Sequence, residues 1–341
     1  MCAGLFRERL KRKARHNAAY CDRCAGTTAL YRKTGTEVGE MTVTLDWLGV
    51  ATFRLTIDDL VLFLDAYMDR VPAAPPVGLT TDEVQRADFI LVGHSHFDHL
   101  WGAERIARNT GATIIGSHES VRLMVDEEVS ERQLIAVAGG ERVQLSDTVS
   151  VRAFPSQHSC IWTNAGRTAD EVCLGDRGLT LQQRQANLAG RAGRTAAADR
   201  PGMEEIRAHR ATNKQHPRGE GGAFAYLIET PEGSILWKDT SGHWTGIMHD
   251  LRPDVALLAA AGRGNIDGEP IQGSLATFVA REVDLLRPRR VVLSHHDDWM
   301  PPTTRPTDVT PIREELARQS PGVELVEMGY LEAYPILAGI R

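Results

Sequence analysis

Short β-branched or apolar runs span residues 42–47, 52–57 and 61–65, and turn residues separate the three. That spacing predicts short β-strands joined as a meander. A Pro-rich loop spans 71–77, and Thr80 with Glu83 three residues on has the capping-box pattern that opens a short helix. Residues 89–92 read as a buried strand. Helix and strand patterns then alternate: helix over 103–109, strand over 112–116, helix over 119–125, and strands over 143–145 and 149–154. The strand pattern resumes at 223–229, 234–238 and 254–259, followed by a helix near 275–286 and a strand at 290–293. Thr310 and Pro311 open a final helix, with proline at its first position. A strand at 323–326 and one last short strand close the chain. No repeat of 20–50 residues is present. The arrangement is an α/β fold of two mixed β layers with helices outside.

Residues 161–221 break this pattern, being rich in Arg, Gly, Ala, Gln and Asp and poor in large apolar side chains. Helices are expected around 179–198 and 203–211. An insertion of about 60 residues is too long for a plain loop and is expected to be lid-like or partly disordered. Residues 1–40 lack amphipathic periodicity and carry nine Lys/Arg against four Asp/Glu, a net of +5 in a chain of net −6. The rest of the chain is therefore at −11. We divide the chain into a basic N-terminal arm or extension at 1–40 and a main domain at 41–341. Either 1–40 is an arm, or Met41 is the natural start.

The overall negative charge gives no general attraction to nucleic acid or anionic membrane, so a nucleic-acid partner is not expected. The basic stretch 7–15 is read as a solvated helix or frayed arm before it is read as a phosphate contact. No apolar run approaches 18 residues, so no membrane span is expected, and no apolar segment follows the N-terminal charges as in a secretory signal. Five cysteines make no disulfide framework. The lone pair Cys21 and Cys24 is read as reduced thiols, and the protein as cytoplasmic. A homo-oligomer, with the arm exchanged between protomers, is compatible with the sequence.

The candidate chemistry starts at Gly93 to Leu100, where His94, His96, Asp98 and His99 follow an apolar run. Imidazole nitrogens and carboxylate oxygens are the usual ligands of zinc and related divalent ions. In extended chain, positions i and i+2 face the same way, so His94 and His96 can converge on one ion. Asp98 and His99 lie beyond, where the chain turns toward a helix, and can face a second. Three later strand ends offer the missing ligands: His158, Asp239 and His295. Asp239 has two oxygens and can bridge.

This constellation resembles the metallo-β-lactamase fold superfamily. Within it, the chain is similar to the metal-dependent hydrolases related to L-ascorbate-6-phosphate lactonase and the N-acyl-phosphatidylethanolamine phospholipase D-like phosphodiesterases. The resemblance runs from about Met41 to Leu337, and includes Trp47 to Phe53, Leu62 to Asp65 and Ser294 to Asp298. It implies an αββα sandwich with a two-metal site at one edge of the sheets. Carried over, it implies one ion on His94, His96 and His158, a second on Asp98, His99 and His295, and Asp239 as the bridge. Val50, Ala66 and His296 depart from residues common in relatives (His, Pro and Tyr), and the insertion is longer. Asp239 favours esters, lactones, thioesters or phosphodiesters over β-lactams.

The implied activity is a dinuclear hydrolase that cleaves an ester, lactone or phosphodiester of a small molecule with a metal-bridging hydroxide. Two zinc ions are expected, with manganese and iron also compatible. Asp98 and Asp239 are the expected catalytic carboxylates, Asp98 orienting the nucleophile or shuttling its proton. Asp65 is expected behind a ligand histidine, and His243 and His296 at the substrate or leaving group. Arg263 and Asn265, in a glycine-containing loop after a strand, are candidates for binding a phosphate or carboxylate. Two other classes compete: a mononuclear iron oxidoreductase of the persulfide dioxygenase kind on the same fold, and a non-catalytic binding protein using the arm and insertion.

Overall fold

The computed structural model describes residues 41–197 and 201–340, all within the unit Met41–Arg341. The basic stretch 7–15 and the Cys21/Cys24 pair lie outside the described residues. One sheet takes six strands in chain order: β1 (Val43–Trp47), β2 (Phe53–Ile57), β3 (Leu60–Leu64), β4 (Phe89–Leu91), β5 (Thr113–Ser117) and β6 (Leu134–Val137). The first three form the antiparallel meander, and β3 to β6 run parallel. Their crossovers carry the single-turn α1 (Phe97–Leu100), α2 (Ala103–Thr110) and α3 (His118–Asp126).

The later strands are β7 (Arg142–Gln144), β8 (Ser150–Pro155), β9 (Phe224–Thr230), β10 (Gly233–Lys238), β11 (Gly242–His243), β12 (Val255–Ala259), β13 (Asn265–Ile266), β14 (Glu269–Pro270), β15 (Arg290–Ser294) and β16 (Glu324–Val326). Seven of them make the second sheet, in the spatial order β16-β15-β12-β10-β9-β8-β7. Strands β11, β13 and β14 form a small third sheet. The remaining helices are α4 (Leu181–Ala197), α5 (Met203–Thr212), α6 (Thr245–Met248), α7 (Leu275–Leu286) and α8 (Thr310–Gln319).

Period-two alternation explains the layering. In β3, Leu62 and Leu64 point into a core shared with Tyr226, Ile235, Trp237 and Leu257 of the second sheet. Val61 and Phe63, one position out of phase, pack instead with Ile106 of α2 and Leu123 and Met124 of α3. In the second sheet, Leu236, Ala256 and Leu258 turn away from the shared core and meet Phe278, Val283 and Leu286 of α7 and Leu316 of α8. Strands buried on both faces read as near-continuous apolar runs, as β3, β12 and β15 do. The result is an αββα sandwich, as expected.

The same topology sends several strand ends to one edge. Strands β3 and β4 are parallel, as are β10, β12 and β15. Strands β8 and β10 are both antiparallel to β9 and so point the same way. Asp65, Asp239 and His295 each directly follow one of these strands, Gly93 follows β4 after one further residue, and His158 follows β8 after two.

Several local expectations change. Thr80 and Glu83 do form the capping box, with the Glu83 carboxylate accepting from the Thr80 N–H and hydroxyl, but it opens only a 3-10 turn. The last segment makes isolated bridges to β1, Leu45 with Tyr334 and Trp47 with Tyr330, instead of a strand. The described part of the insertion carries α4 and α5. Helix α5 packs Met203 and Ile206 against Val50, Tyr67, Trp299 and Met300, and the His209 Nε2 lies 3.0 Å from the Tyr67 hydroxyl. Among the described residues, no helix is long and apolar enough to cross a membrane.

Trp237 is the largest fully buried side chain. It stacks on Tyr226 at 5.8 Å and donates its indole N–H to the Ala51 carbonyl at 3.2 Å, joining the two sheets. Trp237→Ala is expected to lower unfolding free energy by about 3–5 kcal/mol in urea denaturation. A loss below about 1 kcal/mol would contradict this account of the shared core.

Candidate metal centre

Gly93 leaves β4 with its N–H donated to the Asp65 carboxylate at 2.9 Å. A Cβ on Gly93 would overlap the Asp239 carboxylate, so glycine lets the two strand ends approach. His94 follows, fully buried, with Nδ1 2.5 Å from Asp239 Oδ2 and Nε2 3.0 Å from His96 Nδ1. His96 caps α1, and that single turn carries Asp98 and His99 inward. His158 gives its Nδ1–H to the Ser159 carbonyl at 2.9 Å, which leaves Nε2 free to face the cluster. His295 is set by its own backbone: its N–H donates to the Val50 carbonyl at 2.6 Å. Val50 has φ +49° and His295 φ +61°. Left-handed backbone at non-glycine residues is costly and is held here by surrounding bonds. The Val50 N–H is in turn held by Asp297 at 3.1 Å, and Asp297 pairs with Arg70 at 2.5 Å.

The side chains form three overlapping groups able to hold an ion: His94, His96 and His158; His94, His99 and Asp239; and Asp98, His99 and His295. Ligand atoms within each lie no more than 4.8 Å apart. Thus the seven residues singled out at four separate strand ends are brought together. Asp65 stands behind them, its Oδ2 2.6 Å from His99 Nδ1. One oxygen of Asp239, Oδ1, is buried with no hydrogen-bond donor.

Electrostatics follow from burial and crowding. Burial lowers His96 to about 4, with the His158 ring adding to the effect, and also pushes down His94 and His158. These rings are neutral near pH 7, the form that binds metal. Burial acts the same way on His99, but Asp98, Asp65 and Asp239 outweigh it and raise that ring to about 10. Burial would raise Asp98, yet His99 and His295 overcome it and hold the carboxyl well below its usual range. Asp239 is likewise held at about 2 by His94, His99 and His158 against the effect of burial. Burial dominates at Asp65 and lifts it to about 7.

The other candidates divide. Asn265 donates its amide to the His158 carbonyl at 2.7 Å, behind the cluster. His296 stacks on Trp47 at 4.6 Å and is half-buried. His243 is corrected: it is 1% exposed, 2.9 Å from Glu282 and stacked on Phe278, so its ring is committed to partners inside the fold. Arg263 is also corrected. Its guanidinium is spent on the Ile271 and Gly175 carbonyls and Asp176, and it ties residues 175 and 176 to the segment just after β14. Sequence reasoning passed over Gly93, the Val50 carbonyl, Lys238 and Glu282. Only Gly93, beside the motif, had a local signal.

A model of the beta-lactamase superfamily domain matches residues 61–177. The fold is similar to that of Igni18, a metallo hydrolase from Ignicoccus hospitalis, with a TM-score of 0.54 at 16% identity, covering 85% of this chain and 96% of that one. Fold and His/Asp groups together define a metal-dependent hydrolase of the metallo-β-lactamase superfamily. A UPF0173 metal-dependent hydrolase from Pyrobaculum neutrophilum is 30% identical over 259 residues, 74% of this chain and 84% of that protein. One from Pyrobaculum calidifontis is 26% identical over 270 residues, 75% of this chain and 84% of that protein. The chain belongs to the UPF0173 metal-dependent hydrolase family.

The packing of Gly93 against Asp239 makes a direct prediction. Gly93→Ala forces a methyl group into the carboxylate, and overpacking of this kind costs about 1–3 kcal/mol. Differential scanning calorimetry of the metal-free protein should show a lowered midpoint. An unchanged midpoint would mean the strand ends are not held this closely.

Proposed function

We propose that this hydrolase holds two divalent ions, zinc foremost, and cleaves an ester, lactone or phosphodiester bond of a small molecule. His94, His96 and His158 would hold the first ion, Asp98, His99 and His295 the second, and Asp239 would serve both. The observation that supports this best is Asp239. Its Oδ2 lies 2.5 Å from His94 Nδ1 and 3.4 Å from His99 Nδ1, one residue of each ligand group. Its Oδ1 is buried without a donor, and an unpaired buried carboxylate oxygen is expensive unless a cation meets it. The donor set, imidazole and carboxylate with no thiolate, suits zinc, manganese or iron. A mononuclear oxygenase would need only one of the two groups.

When bound, such ions lower the pKa of a coordinated water from about 15.7 to about 7 and polarise the substrate oxygen. The chain supplies the arrangement. Asp65 accepts from His99 Nδ1, and the Ser159 carbonyl accepts from His158 Nδ1. Each contact fixes a tautomer and leaves Nε2 as the ligand atom. The Asp98 Oδ2 lies 3.6 Å from the Nε2 atoms of both His99 and His295. Held ionised there, Asp98 can accept a hydrogen bond from the attacking water and orient it. Trp299 packs edge-on against His295 at 5.8 Å and lies tilted against Phe97 at 6.0 Å, an apolar wall beside the His295 ring.

The reading is tested with a nitrophenyl ester, a lactone and bis(p-nitrophenyl) phosphate as substrates of the zinc-loaded protein. At least one should be turned over, lose turnover with a chelator and regain it with zinc. Asp98→Ala should lower kcat/KM for that substrate by about 10²–10⁴-fold with unchanged circular dichroism. Silence toward all three, or an Asp98→Ala variant as active as the parent, would contradict the proposal.

A further inference from the structure

The buried charges that the mechanism leaves unused lie directly behind Asp239. Lys238, the last residue of β10, is 0% exposed, and Glu282 of α7 is 1% exposed. Lys238 Nζ donates to the Thr240 carbonyl at 2.5 Å and the Gly242 carbonyl at 3.0 Å. It also lies 2.9 Å from Glu282 Oε1. An ammonium has three donors, and all three are spent. Glu282 Oε1 further meets His243 Nδ1 at 2.9 Å.

Two of the three acceptors belong to the turn that carries Asp239. That turn is fastened in its own right to the segment bearing His158. The Thr240 hydroxyl accepts from the Ser159 N–H at 3.1 Å, and the Gly242 carbonyl accepts from the Ser156 hydroxyl at 2.9 Å. A Cβ on Gly242 would overlap the Gln157 carbonyl, so the two segments touch along their backbones. A single buried ammonium therefore ties down both the Asp239 turn and, through it, His158.

Stability does not explain a lysine here. Burying an ion pair costs several kcal/mol per charge in desolvation, and well-packed apolar residues of similar volume are often as stable or more so. What an apolar residue cannot do is hold two backbone carbonyls that curl back toward the strand.

We propose that Lys238, with Glu282 as its counterion, is a positioning residue that sets the spacing of Asp239 and His158 and thereby the metal affinity of the centre. This rests on the two-ion reading above. The charge pair acts through backbone, touches no substrate, and is separated by one bond network from each ligand.

The test is Co²⁺ titration of the metal-free full-length protein, followed by visible d–d absorption, alongside thermal unfolding. Lys238→Met/Glu282→Gln removes both charges together, so neither is left uncompensated. It should keep the unfolding midpoint near that of the parent while weakening Co²⁺ binding by about 10–100-fold, the usual size of outer-sphere effects, and shifting the absorption bands. Thr240→Val removes only the hydroxyl that accepts from Ser159 and leaves Lys238 and Glu282 in place. It should weaken Co²⁺ binding in the same direction with the fold retained, and it decides the matter if the double variant fails to fold. Parental affinity and spectrum in a folded double variant, or in Thr240→Val, overturns the inference while leaving the two-ion reading intact. A parent protein that binds no Co²⁺ overturns the two-ion reading, and this inference with it.

Discussion

Five imidazoles and two carboxylates crowd one sheet edge, with one buried carboxylate oxygen left undonated. Removing such groups from water costs several kcal/mol for each ion, and only an opposite charge close by restores it. In the protein alone, part of that compensation is internal: Asp98, Asp65 and Asp239 together raise His99 to about 10. A metal ion would supply the remainder, and the belonging of this chain to a family of metal-dependent hydrolases accords with that need. The strained backbone at Val50 and His295, the Asp297–Arg70 pair beneath Val50 and the glycine at position 93 all serve the same convergence.

The sandwich makes this convergence available. Its two sheets share one apolar layer, and the strands whose ends matter run toward the same edge. Rigid strand ends fix side chains more closely than loops can, and ligand geometry tolerates little slack. The insertion packs onto the main body. Helix α5 is fastened by Met203 and Ile206 to a cluster that includes Trp299 and Met300, next to the His295 ring.

The parts legible in the sequence were those whose signal is local. His94, His96, Asp98 and His99 sit within six residues, and His158, Asp239 and His295 each end an apolar run. Period two in β2 and continuous apolar runs in β12 and β15 marked the strands. The edge strand β6 was missed because Leu134, Ile135 and Ala136 are only half-buried, and α1 because four residues contain no helical period. His243 and Arg263 were misread for a common reason. A polar residue after a strand looks the same whether its partner is a substrate or Glu282, 39 positions away. Lys238 escaped notice for the converse reason, since its acceptors are carbonyls of a turn whose path only the fold defines.

Metal content bears most directly on the central claim that two groups of ligands share Asp239. Inductively coupled plasma mass spectrometry of the purified protein and of His96→Ala measures it without reference to any substrate. The account requires close to two equivalents of zinc or manganese in the parent and a clear reduction in the variant. A single equivalent of iron, or no metal after reconstitution, would contradict it.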